Sequence, residues 1–300
     1  MDSKAVSWLN GFMGVAIFAG SLPATRVAVL GMDPFFLTGA RAVVAALLAS
    51  VWLLLGRVAR PQRSDLLSLA VVGFGVVLGF PLLTALALQY ITSAHSIVYV
   101  ALLPLCTALF GVVLAGERHK PVFWLCSVLG CLLVMSYAAQ QGLEAAWQGD
   151  LYMLAAVVVC GMGYAEGGRL SRRLGGWQVI CWALVLSLPL MFLMMIWFWP
   201  ASFDTVTLSA WLGFGYVSVF SMFLGFVFWY RGLAQGGHRG SRTVAVAATF
   251  YGLGIGCGPA GRGRQCQHDL GHDGGRLVCG GGAAFCFLRQ ALFAVWPVWP

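Results

Sequence analysis

The sequence predicts an all-α, polytopic bundle of transmembrane helices, and three observations lead there. Of the 300 residues, 60% are hydrophobic and only 9% charged, against about 25% charged in a soluble domain. Too few charges remain to cover a water-facing surface, and mean hydropathy is +0.86. The apolar residues gather in runs close to the ~20 needed to cross a bilayer core. The polar connections between those runs alternate in sign along the chain. Hydrocarbon cannot hydrogen-bond loose backbone, so a helix is the expected form of each run.

The first run, residues 6–29, follows a short polar start and has no small-residue cleavage site behind it. It reads as a span and not as a secretory signal. The next runs are residues 34–55, 66–90, 96–115, 122–139, 151–164, 177–199 and 208–230, and a weaker, glycine-laden run covers 244–255. Residues 174–203 carry no charge at all, which makes the seventh run the clearest. Eight firm helices and a ninth, weaker one are therefore expected. Gly75 and Gly79 lie one turn apart in the third run, a spacing that lets helices pack closely.

The connections fix orientation. Lys4 precedes the first run, and every second connection is basic: Arg57, Arg60 and Arg63; Arg118 and Lys120; Arg169, Arg172 and Arg173; Arg231. The others carry Asp33, His95, Glu144 with Asp150, and Asp204. By the positive-inside rule the N-terminus is cytoplasmic. The net charge of +8 is spent on these clusters, so no nucleic-acid partner is expected. The nine Cys form no disulfide framework, since Cys106, Cys126, Cys131, Cys160 and Cys181 sit singly in apolar runs, where a thiol acts as a small hydrophobe.

An internal repeat is also visible. Gly20 and Arg26 recur as Gly163 and Arg169, both 143 residues on. That offset spans five helices, and an odd number of crossings inverts the second copy, an arrangement found in transporters.

Ionisable groups are costly in hydrocarbon and tend to face a cavity or a partner. Arg26 lies late in the first run, Arg41 inside the second, and Glu166 at the cytoplasmic end of the sixth. With Tyr99, Tyr164 and Trp229 they are the candidate lining of a substrate cavity. Each has an ordinary alternative. Arg41 can snorkel or close a helix contact, Glu166 can pair with Arg169, and the aromatics can face lipid or packing.

The segment 14–50, with Phe36-Leu37-Thr38, Arg41 and Ala45-Ala46-Leu47-Leu48, resembles the opening of EamA-type permeases of the drug/metabolite transporter superfamily. So does 93–118, with Leu103-Pro104-Leu105 leading to Gly116-Glu117-Arg118. Pro104, Gly116 and Glu117 carry the pattern that closes the family's fourth helix. The resemblance covers residues 6 to about 237. It implies ten helices in two inverted five-helix repeats, cytoplasmic termini, and a central cavity serving export of amino acids or similar metabolites from a cell inner membrane. The implied partners are a small-molecule substrate and the lipid bilayer, with a homodimer as an option. No cofactor is implied.

The resemblance stops near Gly237, which divides the chain into a first repeat (1–139), a second, incomplete repeat (149–255) and an aberrant tail (256–300). The tail reads as a shifted frame. With each codon started one nucleotide late, the code allows residues 243–250 to become Gln-Leu-Gln-Leu-Leu-Gln-Pro-Phe, and 259–262 to become Leu-Leu-Gly-Glu. The shifted proline and glutamate then stand 13 apart, as do Pro104 and Glu117. In this frame the tail is expected to lie outside the bilayer without regular structure, because Arg262, Arg264, Asp269, Asp273 and Arg276 interrupt any span. Cys266, His268, His272 and Cys279 are then accidental neighbours with no closed ligand pattern, and no metal is expected. Gly252, Gly254, Gly256 and Gly258 lack the lysine and strand context of a phosphate loop. No nucleophile elbow, HExxH or paired carboxylates argue for an enzyme. The competing readings are a frameshifted product that inserts without working and, behind it, an integral membrane enzyme.

Orientation can be tested directly. Single cysteines placed at positions 144 and 204 should react with an impermeant thiol reagent applied to the outer face, and one at Arg60 should not. Labelling at Arg60 from outside would overturn the arrangement.

Overall fold

A computed structural model describes residues 3–116, 121–140 and 146–232. Its helices assemble into eight rods. The first is α1 (Ser3–Ala19) and α2 (Ser21–Val29), broken at Gly20. The second is α3 (Pro34–Leu55). The third joins α4 (Leu66–Val72) through a π-helical stretch, Gly73–Gly79, to α5 (Phe80–Tyr90). The fourth is α6 (Ser93–Val100) and α7 (Leu103–Ala115). The fifth is α8 (Pro121–Gln140), the sixth α9 (Trp147–Leu174) and the seventh α10 (Gly176–Trp197). The eighth is α11 (Leu208–Gly215), continued by a π-helical stretch, Tyr216–Gly225, and by further helix to Gly232. Seven of the eight are long and apolar enough to cross a membrane, and the fifth carries the shorter apolar segment Phe123–Leu132. The eight expected runs are thus eight rods. The ninth run and the tail after it lie outside the described residues.

The sixth rod differs from its expected length. Its apolar run covers 151–164, yet α9 extends over 28 residues. Apolarity marks only the part in hydrocarbon. Glu166, Arg169, Arg172 and Arg173 form helix readily, and basic residues in a last turn suit the helix dipole. Gly175 ends it at φ 92°, a conformation that favours glycine.

Polar residues set the other boundaries. Asp33 caps α3 by accepting from Phe35 N and Phe36 N at 2.9 Å, with Pro34 in the first turn. Thr92 and Thr207 cap α6 and α11 in the same way. Gly116 closes α7 at φ 62°.

Lipid gives helices no hydrophobic reason to associate, so close packing depends on small residues. The most extensive helix contact joins α3 to α10. A Cβ on Gly39 would stand 2.8 Å from Met195 N and 2.9 Å from Met191 O. Gly75 meets Gly163 of α9, where an added Cβ would come 2.8 Å from the Gly163 Cα, and Gly79 meets Val159 on the same helix. Gly213 packs on Ala24 of α2. Outward, Leu47, Val51, Leu54 and Leu55 of α3 and Leu186, Leu190 and Leu193 of α10 are exposed, which is the face a bilayer covers.

The two π-helical stretches begin at residues 73 and 216, that is 216 − 73 = 143 residues apart. The same offset separates Gly20 from Gly163 and Arg26 from Arg169.

Gly39→Leu should prevent α3 from seating on α10 and cost about 1–3 kcal/mol, the usual range for overpacking. The measurement is thermal unfolding of the detergent-purified protein. Gly168→Ala, where an added Cβ meets nothing within 4 Å, should leave the melt unchanged.

Candidate functional site

Three apolar clusters fill the interior among the described residues, a small one at Ala87, Ile91 and Met153 and two larger ones. One gathers Ala28, Val29, Met32, Leu37, Ala85, Leu88 and Val217 at the Asp33 end of the bundle. The larger runs from Ala42 and Val43 of α3 through α10 to Met222, Phe226 and Tyr230 of the eighth rod. α3 passes from one cluster to the other at Thr38 and Arg41, which are 0% and 5% exposed. Thr84 of α5 precedes Ala85 of the first cluster and is also buried. In the eighth rod the same passage carries Ser218 and Ser221. A polar layer therefore separates two apolar ones.

The hydrogen bonds of this layer are incomplete. Other hydroxyls of the rods, Ser218 of this layer among them, donate to the carbonyl four residues back: Ser50 to Ala46 at 2.7 Å, Ser96 to Thr92 and Thr107 to Leu103 at 2.8 Å, Ser218 to Phe214 at 2.6 Å. Ser221 instead accepts from Ser21 Oγ at 2.7 Å. Thr38 Oγ1, Thr84 Oγ1 and Arg41 Nε are buried with no hydrogen-bond partner. Among the described residues Arg41 reaches only Met222 Sδ, through Nη2 at 3.7 Å, and a thioether is a weak acceptor. An arginine at a helix centre costs roughly 2.5–3.5 kcal/mol on insertion scales.

Ser218, Ser221 and Met222 all lie in the π-helical stretch of the eighth rod. Such turns are rare and concentrate at functional sites. Opposite them the first rod breaks at Gly20, where Tyr216 Oη donates to Ile17 O at 2.8 Å.

From Met222 the same helical ridge continues through Phe226 to Trp229. Tyr164 of α9 closes on this ridge, its ring centroid 5.7 Å from Trp229 and 6.2 Å from Phe226. Phe18 adds an edge contact to Phe226 at 4.8 Å. Trp229 Nε1 is buried without a partner. The structure thus brings Tyr164 and Trp229 together and sets Arg41 along the ridge from them. Arg26 stands apart in α2, with Nη1 buried and unpartnered.

Tyr99 and Glu166 fall at opposite ends of the bundle. Tyr99 stacks on His95 at 5.9 Å, and His95 Nε2 lies 2.9 Å from Asp150 Oδ1 at the start of α9. Glu166 is buried and takes the expected Arg169 pair, with Nε donating to Oε2 at 3.0 Å. Arg169 Nη2 also donates to Ser68 Oγ at 3.0 Å, and Arg173 pairs with the buried Asp65. Both ends of α9 are therefore tied to the first half of the chain.

Of the family-pattern residues, Pro104 stands in the first turn of α7 and Gly116 caps its end, while Glu117 lies outside the described residues. The candidate zinc ligands Cys266, His268, His272 and Cys279 do so too. Sequence reasoning missed Thr38, Thr84, Ser21 and Ser221. Threonine and serine are ordinary in spans, and only the missing back-bond to the carbonyl sets the two threonines apart.

Comparison with known proteins agrees with this architecture. The EamA-like transporter family matches residues 5–136 and again 147–251. The uncharacterized transporter YdeK of Bacillus subtilis (strain 168) is 57% identical over 253 residues, covering 84% of this chain and 88% of that protein. A protein known from its crystal structure superposes with a TM-score of 0.68 at 21% identity, over 97% of this chain and 98% of its own, which establishes the shared fold. Family and relative both point to a multi-pass membrane transporter and not to an enzyme.

Tyr216→Phe deletes the donor to Ile17 O at the break in the first rod. It should lower thermal stability by about 0.6 kcal/mol, the average for a hydrogen bond between membrane helices. The check is a melting curve against wild type.

Proposed function

Because the chain belongs to the EamA-like transporter family, we propose that it exports small organic metabolites, amino acids or similar compounds, across a cell inner membrane by alternating access. The observation that carries this reading is the incomplete polar layer at Arg41, enclosed by apolar clusters on either side. A charge left unpaired inside hydrocarbon is retained where function needs it. Residues 1–139 and 149–255 form two inverted repeats in this reading. Two separate family matches and three pairs of features offset by 143 residues support that division. Arg41 binds, while Tyr164 and Trp229 line the path beside it.

One observation favours a second reading, in which a shifted frame leaves the product inactive. The family match ends at 251, and residues 256–282 are rich in glycine, arginine and histidine.

Both readings meet one experiment. The chain as encoded and a frame-restored form are placed in inside-out membrane vesicles, and accumulation of labelled amino acids is followed. Accumulation of chemically unchanged solute by both forms supports export, and accumulation by the restored form alone establishes the inactive-product reading. Arg41→Gln in the active form should insert at normal levels and abolish accumulation. Accumulation that survives while expression falls would make Arg41 structural, and a chemically altered solute would point to an enzyme.

A further inference from the structure

We propose that the solute held at this layer carries a carboxylate group, and that this group is the missing partner of Arg41. The inference rests on the transport reading above and adds the chemical class of what is carried. It follows from an accounting of charge. Among the described residues there are five carboxylates: Asp33, Asp65, Asp150, Glu166 and Asp204. Asp33 accepts the amides of Phe35 and Phe36. Asp65 takes Gln62 N and Arg173. Asp150 is held by His95, Glu166 is held by Arg169, and Asp204 is exposed beyond α10. None of them meets Arg41, whose one polar contact among the described residues is a thioether sulfur.

The surroundings suit a carboxylate. A guanidinium offers a planar fork of donors that matches two carboxylate oxygens. Thr38 and Thr84 add two buried hydroxyls that are not spent on their own helices. Leu37, Ala85 and Leu88 belong to one packed cluster. α3 and α5 are parts of successive, antiparallel rods, so that packing sets Thr38, Arg41 and Thr84 at a common depth. Arg41 is seven residues inside α3, roughly 10 Å from its start at the helical rise. That is too deep for the guanidinium to be counted as part of the interface. A solute without an anionic group would leave the arginine uncompensated, and a carboxylate would neutralise it.

The test uses the full chain, purified in detergent, and thermal stabilisation by matched probes. L-leucine and L-phenylalanine are compared with their decarboxylated amines, isopentylamine and phenethylamine. They are also compared with the deaminated acids 4-methylpentanoate and 3-phenylpropanoate, and with chloride. At least one carboxylate should raise the melting temperature in a concentration-dependent way, and its amine should not. Arg41→Gln should weaken that acid about tenfold or more, and Arg41→Lys should weaken it less because it keeps the charge without the fork. The ligand-free Arg41→Gln protein should melt no lower than wild type, since the charge it loses has no partner. Thr38→Val, close in shape, should fold normally and weaken the acid several-fold. No stabilisation by any acid, equal stabilisation by an amine, an Arg41-dependent effect of chloride alone, or a ligand-free Arg41→Gln protein that melts lower would each overturn the proposal. Failure of the transport reading looks different. An acid that binds through Arg41 and yet is never carried into vesicles removes transport and leaves the anion site. An amine carried equally well by wild type and Arg41→Gln keeps transport and removes the anion site.

Discussion

Hydrocarbon supplies no hydrogen bonds, and nearly every polar choice in this protein answers to that. Backbone groups are closed into helices from Ser3 onward. Serine and threonine hydroxyls turn back onto carbonyls of their own helices. Carboxylates stand at the ends of rods, where each has a partner or solvent. Against that background buried polar atoms without a partner stand out, and Thr38, Arg41 and Thr84 gather three of them in one layer. The functional reading comes from this contrast.

The same solvent also decides how the rods meet. Leucine on a neighbouring helix is no better than a lipid tail, so association depends on fit and on close backbone approach. Gly39 against Met191 and Met195, Gly75 against Gly163, and Gly213 against Ala24 provide that approach. Where α-helical geometry is relaxed, the third rod carries Gly73, Gly75 and Gly79, and the eighth carries Ser218 and Ser221 among larger residues. The eighth rod places its serines and Met222 there, facing the first rod and α3.

α9 links the two ends of the bundle. At the Asp65 end it is held by Arg173 and by the Arg169–Ser68 bond, and at the Asp33 end by the His95–Asp150 contact. The first tie uses arginine, whose charge is fixed at any ordinary pH. The second sets His95 Nε2 against Asp150 Oδ1 at 2.9 Å. The polar layer lies between them. In the proposed cycle, a solute entering from one end and leaving at the other must cross both levels.

By itself the sequence determined the class of protein, the eight rods and the alternation of charge between their ends. Hydrophobic run length and the cost of charge in hydrocarbon act locally, so they can be read from order along the chain. It also marked Arg41, since one arginine inside an apolar run is conspicuous. Its reading of the sixth rod came out short, because apolarity reports depth in the membrane and not where a helix stops. Only the tertiary structure decided which candidates meet. Tyr164 and Trp229 are 65 residues apart in sequence and touch because α9 and the eighth rod pack together. Tyr99 and Glu166 belong to opposite ends, each beside a neighbour on its own helix, His95 and Arg169, that reaches another rod at Asp150 and Ser68. Thr38 and Thr84 are set apart by what their hydroxyls fail to reach. A missing hydrogen bond is a property of three-dimensional surroundings, and residue order does not encode it.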